Sequence, residues 1–154
     1  MRFLKLTAIL FLFSFAFISC EKELDREPGD YAGDSIMSGT NEVPAVTTPA
    51  SGTIRVTYSQ KSRVLNYIIT WIGLSGNPTG AHIHGLAETG VNAGVVQSFG
   101  GFPAATIGSY TGSLLVDGIK VTEENLLSGK YYVNIHTALN TGGQIRGQIV
   151  LNKL

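Results

Sequence analysis

The strongest constraint on this chain is a two-residue apolar period that recurs between clusters of turn-forming residues. In Ser51–Tyr58, Ile54, Val56 and Tyr58 fall on one side while Thr53, Arg55 and Thr57 fall on the other; in Arg63–Leu74, Leu65, Tyr67, Ile69 and Trp71 share a side. Successive side chains of extended backbone leave on opposite faces, so this pattern suits strands with one face on a core. The short polar link Ser59–Ser62 joins the two stretches as a hairpin. Further strands are expected at 81–85, 94–99, 109–116, 131–137 and 144–151, separated by turn clusters at 41–49, 75–79, 88–94, 100–105 and 140–143. One helical signal stands out, Thr122–Ser128, with Thr122 as cap, Glu123 and Glu124 at the positive end of the dipole and Gly129 as terminator. Seven or eight short strands without room for crossover helices specify an all-β fold: an antiparallel Greek-key β-sandwich with one short helix. Composition agrees, since 19 glycines and only 14% charged residues suit a turn-rich β domain better than a helical bundle. The formal net charge of zero supplies no basic footprint, so nucleic acid is not an expected partner.

The N-terminus indicates an address. MRFLKLTAILFLFSFAFISC places two cations before an uncharged run, Leu6–Phe17, which is too short to cross a bilayer as a helix, then small Ser19 before Cys20. The segment resembles a bacterial lipoprotein signal, with Phe17 where that motif usually has Leu. It implies a signal peptide over residues 1–19, a lipidated Cys20, a flexible tether over 20–34 and a domain over 35–154. Cys20 is the only cysteine, so no internal disulfide can form. The expected location is the bacterial cell envelope, extracytoplasmic and held to a membrane by its lipid; the alternative is a secreted protein with a free thiol. Without the two leader cations, nine cations face eleven acids.

The three histidines carry the chemical interest. His82 and His84, in AHIHG, share one face of a strand, and YYVNIHT sends Tyr132, Asn134 and His136 to one side and Tyr131, Val133 and Ile135 to the other. If Ile83, Val133 and Ile135 face the core, all three imidazoles lie on the non-core side. Their nitrogens would then have to converge to within about 4 Å to hold copper or zinc through bonds of ~2.0–2.1 Å. Hydrogen-bonded rim histidines are the competing reading. Arg146, in GGQIRGQI, either attracts an anion beside the histidines or pairs structurally with an acid such as Glu42. No Gly-x-Ser-x-Gly turn or glycine-rich phosphate loop is present, and no nucleophile accompanies a base, so enzymatic turnover is not the expected role.

The phrases SGTNEVPAVTTPASGT, LNYIITWIGLSG, TGAHIHGLAETGVNAGVV, GSYTGSLL, LLSGKYYVNIHT and NTGGQIRGQI together resemble the CHRD domain, the module repeated in chordin and found singly in bacterial secreted proteins. The resemblance spans about Ile36–Leu151. It departs from the family at Ala45 and Thr141, where prolines are common, and at Gln144, where Glu is frequent. It implies an extracellular sandwich, immunoglobulin-like or superoxide-dismutase-like. Together with the tether and the missing nucleophile constellation it makes a binding module for an envelope protein or glycan the expected role, and Ile68 and Tyr132, on the non-core face, are contact candidates. A more distant similarity to copper–zinc superoxide dismutase implies His82, His84 and His136 as copper ligands, Arg146 as an anion guide and weak redox activity. The chain lacks the further histidines and the cysteine pair of that enzyme.

Overall fold

The computed structural model describes residues 29–154; the expected signal peptide, Cys20 and most of the tether lie outside the described residues. The first strand, β1 (Asp30–Ser38), pairs antiparallel along its whole length with β2 (Ser51–Ser59), from Asp30 opposite Ser59 to Ser38 opposite Ser51. The expected hairpin follows: β2 pairs with β3 (Val64–Ile72), with Ile54 opposite Ile69 and Tyr58 opposite Leu65. The chain then crosses to a second layer to form β4 (Pro78–Gly85) and β5 (Val95–Ser98), and returns as β6 (Gly108–Leu115) beside β3. A five-residue helix, α1 (Glu123–Leu127), leads into β7 (Tyr131–Thr137), which pairs with β4 and then with β8 (Ile145–Gln148). The short β9 (Asn152–Lys153) closes against β1.

All these pairings are antiparallel, and they run in the order β5-β4-β7-β8-β1-β2-β3-β6, a path folded into a nearly closed sandwich. A single register pair, Ser38 with Arg146, joins the two layers through β1 and β8. Between them lies the core, supplied by Ile54, Val56, Tyr58, Leu65, Tyr67, Ile69 and Trp71 from one layer and Ala81, Ile83, Val133, Ile135 and Ile145 from the other. The alternation read in the sequence is therefore the alternation between core and outer face. The helix forms as expected: Thr122 caps it by accepting from the Asn125 amide, Leu126 is buried beneath it, and Gly129 leaves it with φ of 70°. Among the described residues no helix is long and apolar enough to cross a membrane.

One expected boundary shifts. Residues 30–34, read as tether, belong to β1, so the ordered domain begins before Ser35. Within DYAGDSIMS only Met37 is fully buried, which leaves almost no apolar period to read. Backbone pairing with β2, β8 and β9 makes it a strand, helped at its surface by the Asp34–Arg55 ion pair at 2.8 Å.

Candidate metal centre

The outer face of the β4-β7-β8 layer carries three registered rows. His82 stands opposite Asn134, and Asn134 opposite Arg146; His84 stands opposite Tyr132, and Tyr132 opposite Gln148; Gly80 stands opposite His136. Because Ile83, Val133 and Ile135 fill the core at the intervening positions, strand parity leaves His82, His84 and His136 no other direction. The parity reading of the histidines thus holds, and one potential ligand atom from each of the three lies within 4.8 Å of the others, somewhat wider than the 4 Å expected from the sequence. Bonds of ~2.0–2.1 Å in a tetrahedron would set ligand atoms roughly 3.4 Å apart, so an ion would draw the rings slightly inward.

Two loops cover this face and determine which nitrogens are free. The loop 86–94, between β4 and β5, places the Ala93 carbonyl 2.9 Å from His84 Nδ1; the loop 138–144, between β7 and β8, places the Thr141 carbonyl 2.8 Å from His136 Nδ1. A carbonyl can only accept, so each Nδ1 carries the proton and each neutral ring keeps a lone pair on Nε2. His136 Nε2 lies 3.0 Å from His82 Nδ1. That ring must then donate to it whenever no ion is bound. His84 Nε2 and His136 Nε2 each lie 2.9 Å from Asn134 Oδ1. Asn134 Oδ1 therefore faces two ring nitrogens that carry no proton, of which His136 Nε2 receives one from His82 and His84 Nε2 receives none.

Electrostatics keeps His82 and His136 in their metal-binding form. Burial, with the neighbouring His136 and His84, lowers the His82 pKa below its ordinary value. Burial also lowers that of His136, against the opposing hydrogen bond to Thr141. Both rings are consequently neutral at neutral pH, and a neutral imidazole is the ligand for zinc or copper.

Arg146 differs from either sequence expectation. It is only 1% exposed, so it cannot guide an anion from solvent, and among the described residues it forms no ion pair with Glu42. Its guanidinium lies 3.4 Å over the Tyr132 ring and donates to the Val91 carbonyl at 2.8 Å and to Asn92 Oδ1 at 3.2 Å. Tyr132 in turn stacks on His84, ring centroids 4.8 Å apart and nearly parallel at 2°. Tyr132, expected as an exposed contact, is thus buried between two planar groups, whereas Ile68 is exposed as expected. Arg146 holds the loop whose Ala93 carbonyl orients His84.

Glu42 adds a buried acid that the sequence offered as a turn residue and as an ion-pair partner for Arg146. It is 6% exposed, and its Oε1 has no hydrogen-bond partner. Burial pushes its carboxyl up to about 7, opposed by the charge of Arg146 and by the nearby Asn134 amide. Gly143, at φ of 126°, makes this packing possible, since a Cβ there would collide with the Glu42 carboxyl and come within 2.7 Å of Asn134 Nδ2. Asn134 and the carbonyls of Ala93 and Thr141 were not singled out from the sequence. The only available signal for Asn134 was its shared parity with His136.

Fold and site together define a class: a single-domain antiparallel β-sandwich with a loop-covered cluster of imidazoles on the outer face of one layer. The model of the CHRD domain matches residues 34–149, most of the chain, and the protein belongs to that family. No curated protein and no solved structure matches it.

Proposed function

We propose that this chain is a lipid-tethered, extracytoplasmic binding domain of the bacterial envelope whose ligand is one transition-metal ion, copper or zinc, held by His82, His84 and His136. One observation carries the reading: the second nitrogens of His84 and His136 are tied to the Ala93 and Thr141 carbonyls, which turns both Nε2 lone pairs inward, that of His136 toward the His82 ring and that of His84 with no donor among the described residues. Metal-binding histidines are commonly oriented in this way, the far N–H donated to a carbonyl or carboxylate. The ion would be coordinated by the three imidazoles, and the backbone carbonyls would fix the tautomers that receive it.

Thermal melts test this. Zinc or copper at 100 times its dissociation constant should raise the stability of the wild type by about 2.7 kcal/mol, because the native state alone binds. His82→Ala and His136→Ala should lose that gain. A wild-type melting temperature indifferent to both metals and to chelator would end the proposal. A second reading, capture of an envelope protein or glycan, is favoured by Ile36, Ile68, Ile72 and Leu115, all exposed on the outer face of β1-β2-β3-β6. A pull-down from envelope extracts that recovers nothing would count against it.

A further inference from the structure

Resting on the three-histidine reading, we infer that Asn134 is the fourth ligand, its side-chain carbonyl oxygen completing a closed N3O site for a divalent ion, Zn(II) or Cu(II), in preference to Cu(I). Asn134 is 3% exposed and stands on β7 directly opposite His82. Its Oδ1 lies 2.9 Å from both His84 Nε2 and His136 Nε2. Neither contact is a hydrogen bond between neutral groups, because both rings already carry their proton on Nδ1. A buried amide oxygen packed against the His84 lone pair, which has no donor among the described residues, is unfavourable until a cation occupies the space between them.

The amide is oriented from its other end. Nδ2 faces the Gly142 carbonyl at 3.4 Å and lies beside the Glu42 carboxyl. Turning the amide over would set Oδ1 against the Gly142 carbonyl and, once Glu42 is ionised, against its carboxylate. Glu42 and the loop at 142–143 are thus positioning groups that aim the oxygen at the histidines. Four donors fill a tetrahedron and leave no open position, so the site would hold an ion rather than turn over a substrate at it. An amide oxygen is a hard donor that adds affinity for a divalent ion and little for soft Cu(I).

The test uses the full chain, purified in detergent to accommodate its apolar N-terminal run, titrated with Zn(II) and, anaerobically, with Cu(I) against a chromophoric chelator. Asn134→Leu should weaken Zn(II) binding about 10–100-fold, the range seen when groups around a metal site are removed, and leave Cu(I) binding nearly unchanged. Asn134→Asp, which restores the oxygen and adds charge, should bind Zn(II) at least as tightly as wild type. Co(II) in the wild type should give the intense visible bands of a four-coordinate tetrahedral ion, and Asn134→Leu should alter them. If His82→Ala abolishes binding while Asn134→Leu retains wild-type Zn(II) affinity and Co(II) bands, the fourth ligand is refuted and the three-histidine site stands. Equal weakening by Leu and Asp would also refute it, as it would assign Asn134 a packing role. Wild type that binds no metal overturns both readings. Should Asn134→Leu fail to fold, Asn134→Asp decides alone, with weakened Zn(II) binding overturning the inference.

Discussion

The two layers of this sandwich treat their outer faces in opposite ways. On β1-β2-β3-β6 the side chains that point away from the core meet solvent: Thr53 bonds Thr70 at 2.7 Å, Arg55 bonds Asp34, and β2 alternates strictly between exposed and buried. On β4-β7-β8 the corresponding positions are covered by two loops, and Tyr132, Asn134, Arg146 and His84 are all buried. Every residue of β7 except His136 is fully buried. The same period-two backbone thus yields a plain surface on one side and an organised polar interior on the other. Polar groups sealed from water need specific partners, whereas exposed ones can rely on solvent. Perturbation should accordingly be costly on the second face and nearly free on the first.

Removing the buried cation should have the largest effect. Arg146→Ala deletes a cation–aromatic stack and two hydrogen bonds from a sealed site, and denaturant unfolding should show a loss of about 2–4 kcal/mol. It should also weaken metal binding, because the loop bearing the Ala93 carbonyl loses its anchor at Val91 and Asn92. A loss no larger than that of a surface substitution would erase the contrast between the faces.

Glu42→Gln comes next and depends on pH. In metal-free protein the folded carboxyl titrates near 7 against an ordinary value of 4.5, so between these values the native state binds more protons than the unfolded chain. Stability from this group is present below 4.5 and lost as pH rises through 7. The variant should match wild type near pH 4 and exceed it by about 1–2 kcal/mol at pH 8. His82 and His136 act with the opposite sign: their lowered values mean the native state binds fewer protons, so their contribution is lost as pH falls below about 6.5. Unfolding measured across this range in chelator should separate the two, and a Glu42→Gln difference independent of pH would show that the carboxyl is not held neutral by burial.

The smallest effect belongs to the open face. Arg55→Ala breaks the exposed ion pair with Asp34 and should cost only about 0.2–0.5 kcal/mol, falling further in high salt. A loss approaching that of Arg146→Ala would mean the outer face of β1-β2-β3-β6 is covered in the native protein, which would favour a docked partner there.

Strand parity made much of this legible beforehand. The faces of β2 and β3, the hairpin between them, the cap and terminator of α1, and the common side of His82, His84 and His136 all follow from the spacing of apolar residues. Less was legible where pairing rather than pattern creates structure. In β1 a run of charges, serine and glycine gains its order from its neighbours, and Asp30–Asp34 reads as tether for that reason. Tyr132 reads as exposed because alternation reports which side of a strand faces the core and carries no information about what covers the other side.

By itself, then, the sequence determined that the chain is an antiparallel β-sandwich and that three imidazoles share its non-core side, since both depend on local periodicity and on the direction in which extended backbone projects its side chains. Tertiary structure alone decided that loops 86–94 and 138–144 close over those imidazoles, that Ala93 and Thr141 select their tautomers, that Arg146 stacks on Tyr132, and that Asn134 and Glu42 meet beneath Gly143. These contacts join residues distant along the chain, and their geometry depends on where each loop comes to rest, which no local spacing of residue types encodes.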